Sequence, residues 1–172
     1  MKTRSLPQWP GTGSWLVASL VFAHLSLACE TPSGTCVGVT DGDTIKVLRG
    51  GKTLKIRLEG VDCPEYGDDF SARAKKFTAN MVLGKVVTLR VKETDRYGRL
   101  VARVVIDGQD VSVELVRAGL AWHYKRYSAD PALAKAESNA RAAGIGIWSL
   151  PKPVPPWELK AQRARTGGAR RR

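Results

Sequence analysis

The sequence predicts an α+β chain, mainly β: a five-stranded Greek-key barrel of the OB type carrying three helices. Short stretches between Thr35 and Ile106 alternate apolar and polar residues, which marks half-buried strands. Three longer stretches place apolar residues at helical steps between a capping residue and a terminal glycine. The length of 172 residues with 43% apolar content supports a single packed core plus tails rather than two domains.

Residues 1–28 read as an export signal: Lys2 and Arg4 begin it, Trp15 to Ala28 is largely apolar, and Ser26-Leu27-Ala28 is a small-x-small cleavage pattern. The apolar run is shorter than the roughly 20 residues that span a bilayer. The expected location is therefore secreted or periplasmic. Cys29 directly after Ala28 admits a second reading, a lipoprotein anchored to the membrane through that cysteine.

The domain proper is expected over 29–150. Ile45 and Val47 keep one period with Leu54, Ile56 and Leu58, and Arg49-Gly50-Gly51-Lys52 supplies the tight turn between them. Val87, Leu89 and Val91 alternate with Thr88 and Arg90 in the same way. The first helix is expected from Asp68 to Leu83, with Phe70, Ala74, Phe77 and Met81 on its apolar face, Asp68 or Asp69 as cap and Gly84 as stop. The second runs from Asp110 to Ala118 and the third from Asp130-Pro131 to Ala143, closed by Gly119 and Gly144. Beyond 150 lie a proline-rich segment, for which extended polyproline geometry is expected, and a basic tail with six Lys or Arg and no acid from Lys160 to Arg172.

Charge narrows the partners. The formal charge of +12, which becomes +10 once Lys2 and Arg4 leave with the signal, favours polyanions such as DNA, RNA or anionic lipid. Cys29, Cys36 and Cys63 are too few for a four-thiolate zinc site, and their pairing is open. Without the signal only His123 remains, which excludes mechanisms needing two histidines, and no serine sits in a nucleophile motif. Hydrolysis would have to run on carboxylates, arginines and a hard metal. Asp41-Gly42-Asp43-Thr44 offers oxygen ligands of the kind Ca²⁺ takes, although Asp-Gly alone is also a common turn. Asp62-Cys63-Pro64-Glu65 places two more carboxylates on a stiffened loop, with Arg57 on the preceding strand facing away from the core.

Order and spacing add what single motifs lack. Val39 to Thr44, Ile56-Arg57-Leu58-Glu59-Gly60-Val61-Asp62-Cys63-Pro64-Glu65, Asp95-Arg96-Tyr97-Gly98-Arg99 and Glu114 to Ala121 together resemble the staphylococcal nuclease (thermonuclease) family, over about Cys36 to Trp148. Likeness to its secreted bacterial members extends to Trp122-His123-Tyr124 and to Pro155-Pro156-Trp157-Glu158. The resemblance implies a calcium-dependent endonuclease that hydrolyses phosphodiester bonds of DNA, RNA or both with little sequence preference. It implies Asp43 and Asp62 as side-chain ligands of Ca²⁺, the main-chain carbonyl of Cys63 as a further ligand, Glu65 as the group activating water, and Arg57 and Arg99 on the scissile phosphate. Asp41 is expected to be a weaker metal contact or a support. Arg96, Tyr97, Tyr124 and Tyr127 are expected to bind substrate, the tyrosines by stacking on bases or hydrogen bonding.

A second reading of the same barrel is a catalytically weak nucleic-acid-binding module. Such a module should lack part of the set Arg57, Asp43, Asp62, Glu65 and Arg99, whereas all five are present. Nothing in the sequence points to an obligate protein partner, and a monomer is expected.

Overall fold

Residues 32–169 are described by the computed structural model, with side chains to 165. The expected signal segment, Cys29 and the last three arginines lie outside the described residues.

Five long strands form the barrel: β1 (Ser33–Asp41), β2 (Thr44–Arg49), β3 (Lys52–Leu58), β5 (Val86–Thr94) and β6 (Leu100–Ile106), with the two-residue β4 (Val61–Asp62) between β3 and β5. β1 pairs antiparallel with both β2 and β5, and hairpins join β2 to β3 and β5 to β6. Parallel pairing of β3 with β6, from Ile56↔Leu100 to Leu58↔Ala102, closes the sheet on itself and removes its edges. Gly50 and Gly51 turn the β2–β3 hairpin at φ 54° and 76°, a pair of positive values that side chains with a Cβ resist. A short β7 (Gln109–Asp110) extends β6, and β8 (Trp122–His123) pairs with β4 in a separate ladder.

The inward positions are those the alternation predicted. Ile45, Val47, Ile56, Leu58, Val87 and Leu89 are buried, and Lys55 is exposed between them. Val91 departs from the pattern. It is 44% exposed because the β5–β6 register slips between Val91 and Glu93, and a bulge rotates the strand there.

Helices cover the barrel's ends. α1 (Ser71–Val82) starts later than the expected Asp68, because Phe70 takes a left-handed turn at φ 66° and neither Asp68 nor Asp69 caps it. Its deepest face is Ala74, Thr78 and Val82, while Phe70, Phe77 and Met81 are only half buried against the core. α2 (Val111–Arg117) and α3 (Pro131–Ala142) begin as expected. Asp110 accepts from the amides of Ser112 and Val113, and Asp130 accepts from that of Ala132, with Pro131 opening α3. A 3₁₀ turn follows at Gly146–Ser149.

The segment beyond 150 differs most from expectation. A fourth helix, α4 (Pro156–Ala169), replaces extended geometry there, with Pro156 as its first residue. Among the described residues no helix is long and apolar enough to cross a membrane.

The β4–β8 ladder sets Val61 opposite His123 and Asp62 opposite Trp122, and the Tyr124 amide donates to the Gly60 carbonyl at 2.8 Å. His123 is buried, its Nε2 donates to the Ser128 carbonyl at 3.0 Å, and its Nδ1 has no hydrogen-bond partner among the described residues. Burial holds its pKa below the ordinary value of 6.5, partly opposed by the Ser128 carbonyl and Glu137, while nearby Lys125 adds to the depression. The sign follows from linkage. Below about pH 6.5 the unfolded chain takes up a proton that the native imidazole refuses, so this residue lowers stability as pH falls from there toward the native pKa. Denaturant unfolding between pH 7.5 and 5 should show that fall, with a slope of up to about 1.4 kcal/mol per pH unit from one site. His123→Gln, which retains a donor near Nε2, should flatten it, and an unchanged slope would refute the assignment.

Candidate active site

Strand geometry puts Arg57 at the centre of the site. It sits on β3 opposite Thr44, and the outward phase of the strand aims its guanidinium at the two carboxylates that flank it. Its Nη1 pairs with Asp43 Oδ2 and its Nη2 with Asp62 Oδ1, the latter at 2.6 Å. All three side chains are largely buried, with 14% of Arg57, 9% of Asp43 and 4% of Asp62 exposed. Burial pushes the Asp62 carboxyl above the usual carboxylate range, with Arg57 and then Lys160 pulling the other way.

The turn that carries Asp43 is fastened from several sides. Asp43 Oδ2 also accepts from the Cys63 amide at 2.8 Å, Oδ1 accepts from the Thr44 hydroxyl at 3.2 Å, and Asp41 Oδ1 accepts from the Asp43 amide at 3.2 Å. Thr78 on α1 donates to the Gly42 carbonyl at 2.6 Å. A Cβ at Gly42 would lie 2.7 Å from Cys63 Sγ and 2.8 Å from Ala74 Cβ, so only glycine lets the turn press onto the loop and helix beneath it.

Those contacts also fix the surroundings of Cys63. The Cys63 thiol is packed under Gly42 in the core, and burial drives its pKa far up. Cys36 is buried as well, and among the described residues both are unpaired, so neither resembles a reactive thiol.

A groove of about 900 Å³ opens in front of Arg57. Asp62, Glu65 and Arg99 line it with Arg57, and Arg96, Tyr97, Tyr124 and Tyr127 form further walls. Every sequence-predicted site residue except Asp41, Asp43 and Cys63 therefore lines one space, and Asp43 is tied to it through Arg57. Arg99 is aimed by Asp95, whose Oδ2 accepts from Nε and Nη2, both at 2.8 Å. Burial raises the Asp95 pKa, but bonds from the Arg99 amide, the Arg99 side chain and the Tyr97 amide outweigh it and hold the carboxyl below its usual range. Arg96 and Arg99 both stand over the Tyr97 ring, 4.9 and 5.5 Å from its centroid.

Several residues here escaped the sequence reading. Asp95 was visible only as part of a motif, and Thr78 looked like an ordinary helix position. Trp157 and Lys160 of α4 also line the groove, although their segment was expected to be an extended tail.

Known proteins share much of this sequence. Residues 55–150 match the model of a family described as staphylococcal nuclease homologue. The chain is 40% identical over 146 residues to a Haemophilus influenzae protein called an uncharacterized endonuclease, covering 83% of this chain and 82% of that protein. An Escherichia coli O157:H7 protein, likewise called an uncharacterized endonuclease, is 41% identical over 130 residues, covering 75% and 85%. A Shigella flexneri protein named micrococcal nuclease is 34% identical over 138 residues, covering 74% and 79%.

The tight approach at Gly42 makes a direct prediction. Gly42→Ala should destabilise the protein by about 1–3 kcal/mol through overpacking, and Thr78→Val by about 1 kcal/mol through loss of the bond to the Gly42 carbonyl. Urea unfolding of the two variants measures both. Parent-like stability in Gly42→Ala would show that the turn does not depend on this approach.

Proposed function

Because the chain belongs to the staphylococcal nuclease family, we propose that it is a calcium-dependent endonuclease acting on DNA, RNA or both with little sequence preference. The observation that carries the proposal is one groove holding Arg57, Asp62, Glu65 and Arg99, with Asp43 tied in behind through Arg57. Like the family and its nuclease relatives, the chain is a nuclease that hydrolyses phosphodiester bonds.

The donors at the metal position are hard oxygens, which suits Ca²⁺ or Mg²⁺ rather than a soft ion. Among the described residues no three His, Cys, Asp or Glu side chains cluster closely enough to hold an ion unaided. Asp43 and Asp62 would hold the cation, with the Cys63 carbonyl and oxygens of substrate or solvent completing its shell. When bound, the ion supplies positive charge beside the phosphate, where negative charge grows as the phosphorus becomes five-coordinate.

The chain's own groups do the remaining work. Glu65 takes a proton from the attacking water as the water oxygen bonds to phosphorus and the ester P–O bond breaks, and the leaving oxygen takes a proton from solvent. Arg99, already oriented by Asp95, grips a non-bridging oxygen. Both Nη groups of Arg57 are engaged by carboxylates, so a two-pronged grip on phosphate requires it to give up one or both of them. Tyr97 and Tyr127, whose rings are exposed, offer contact surface to bases of any identity, whereas the face of Tyr124 is taken by Trp157. The Lys2–Ala28 pattern supports export, with Cys29 as the alternative lipid anchor.

Incubation of the purified protein with plasmid DNA and with RNA, in Ca²⁺, Mg²⁺ or chelator, tests the reading. Cleavage should need Ca²⁺ and be poorly supported by Mg²⁺, which demands a tighter octahedral shell; full activity in chelator would overturn this. Glu65→Gln should slow single-turnover cleavage by roughly 10² or more while DNA and Ca²⁺ still bind. Arg99→Lys should act similarly, since it keeps the charge and loses the planar fork. Asp43→Asn should weaken Ca²⁺ binding as well as rate. Parent-like cutting by Glu65→Gln and Arg99→Lys would move the chemistry elsewhere.

A further inference from the structure

α4 flanks the groove and leaves it open. Near its start, Trp157 stacks on Tyr124 with centroids 4.6 Å apart and planes 4° from parallel, and Tyr124 meets Tyr127 edge-on at 4.7 Å. This stack fastens the helix to the segment after β8. One turn later, Lys160 Nζ lies 3.1 Å from Glu65 Oε1 and 3.7 Å from Asp62 Oδ1. Another turn on, Arg163 Nη1 lies 3.3 Å from Glu65 Oε2 and Nη2 lies 2.5 Å from Asp68 Oδ1. Positions 157, 160 and 163 share a helix face, so one docking event delivers all three.

Glu65 needs such support. It stands on an irregular loop between β4 and α1, its side chain is 40% exposed, and among the described residues its ion pairs all come from α4. A glutamate has three rotatable bonds, and left free it would face a given water for only part of the time. One cation on each oxygen holds the plane of the carboxylate. A carboxylate accepts about four hydrogen bonds, so room remains for a water.

We propose that α4 is a working wall of the active site, in which Lys160 and Arg163 are positioning residues for Glu65 and Trp157 is the anchor that brings them there. The inference rests on Glu65 being the base. It assigns a function to the segment after Trp148, which lies beyond most of the matched family region. The groove volume of about 900 Å³ with α4 in place argues for a wall and against a plug.

The test uses the full chain carrying Lys160→Met with Arg163→Met, Lys160→Arg alone, and Trp157→Ala, beside the parent and Glu65→Gln. Single-turnover cleavage of plasmid DNA at saturating protein is measured with DNA affinity at 150 mM salt and with folding by circular dichroism. The double variant should cut at least about tenfold more slowly at saturation while DNA affinity changes by less than about threefold. Lys160→Arg should retain the parent's rate within about threefold, and Trp157→Ala should follow the double variant. Parent-like cutting by the double variant overturns the proposal, as does faster cutting, which would mark α4 as an obstruction to substrate. A loss seen only in DNA affinity also overturns it. If the parent cuts and Glu65→Gln does not, the nuclease reading stands whatever the α4 variants do; if the parent does not cut, both readings fall together.

Discussion

The guanidinium of Arg57 between the carboxylates of Asp43 and Asp62 is the interaction on which the rest of the site depends. Two buried carboxylates brought together without a cation repel each other and lose their hydration, and one shared arginine offsets both penalties. Removing one partner from a buried pair costs about 3–5 kcal/mol, because it leaves a charge with neither water nor counter-ion. The same group therefore stabilises the fold and arms the site. It couples them as well, since the same side chain lines the groove.

Around that centre the protein divides rigid from adjustable parts. Asp43, Arg57 and Asp62 are rooted at strand ends or on strands, and Thr78, Gly42 and the β4–β8 ladder lock their backbones. Glu65, Arg99 and Tyr97 stand on loops and depend on partners for direction. Asp95 directs Arg99 through a short local hairpin, with donor and acceptor four residues apart. Glu65 has no such neighbour, and the groups that hold it come from α4, with Arg163 98 residues away in the chain. A site assembled in this way combines fixed charge with a few movable groups.

His123 illustrates how a conspicuous residue can be structural. The one histidine outside the expected signal, it is buried, its Nε2 is spent on the Ser128 carbonyl, and its pKa is depressed. Its contribution is indirect. The strand it belongs to pairs with the strand carrying Asp62, and the next residue is the tyrosine on which Trp157 stacks.

What the sequence determined by itself was whatever local chemistry dictates. Alternation placed Ile45, Val47, Ile56 and Leu58 inside, Asp110 and Asp130 announced two helices as side-chain caps, Gly50-Gly51 announced a hairpin, and the resemblance carried by four ordered motifs pointed to Arg57, Asp62, Glu65 and Arg99, which line the groove. What only the tertiary structure decided depends on residues distant in the chain. The bulge at Val91 follows from pairing with β6, the late start of α1 from the left-handed turn at Phe70, and the inert state of Cys63 from its packing under Gly42. The fourth helix was masked by its prolines, which suggest extended chain until Pro156 is seen as a first helical residue. Its docking leaves no periodic or spacing signal, because an aromatic stack and ion pairs spanning about a hundred residues have energies set by where the rest of the fold places their partners.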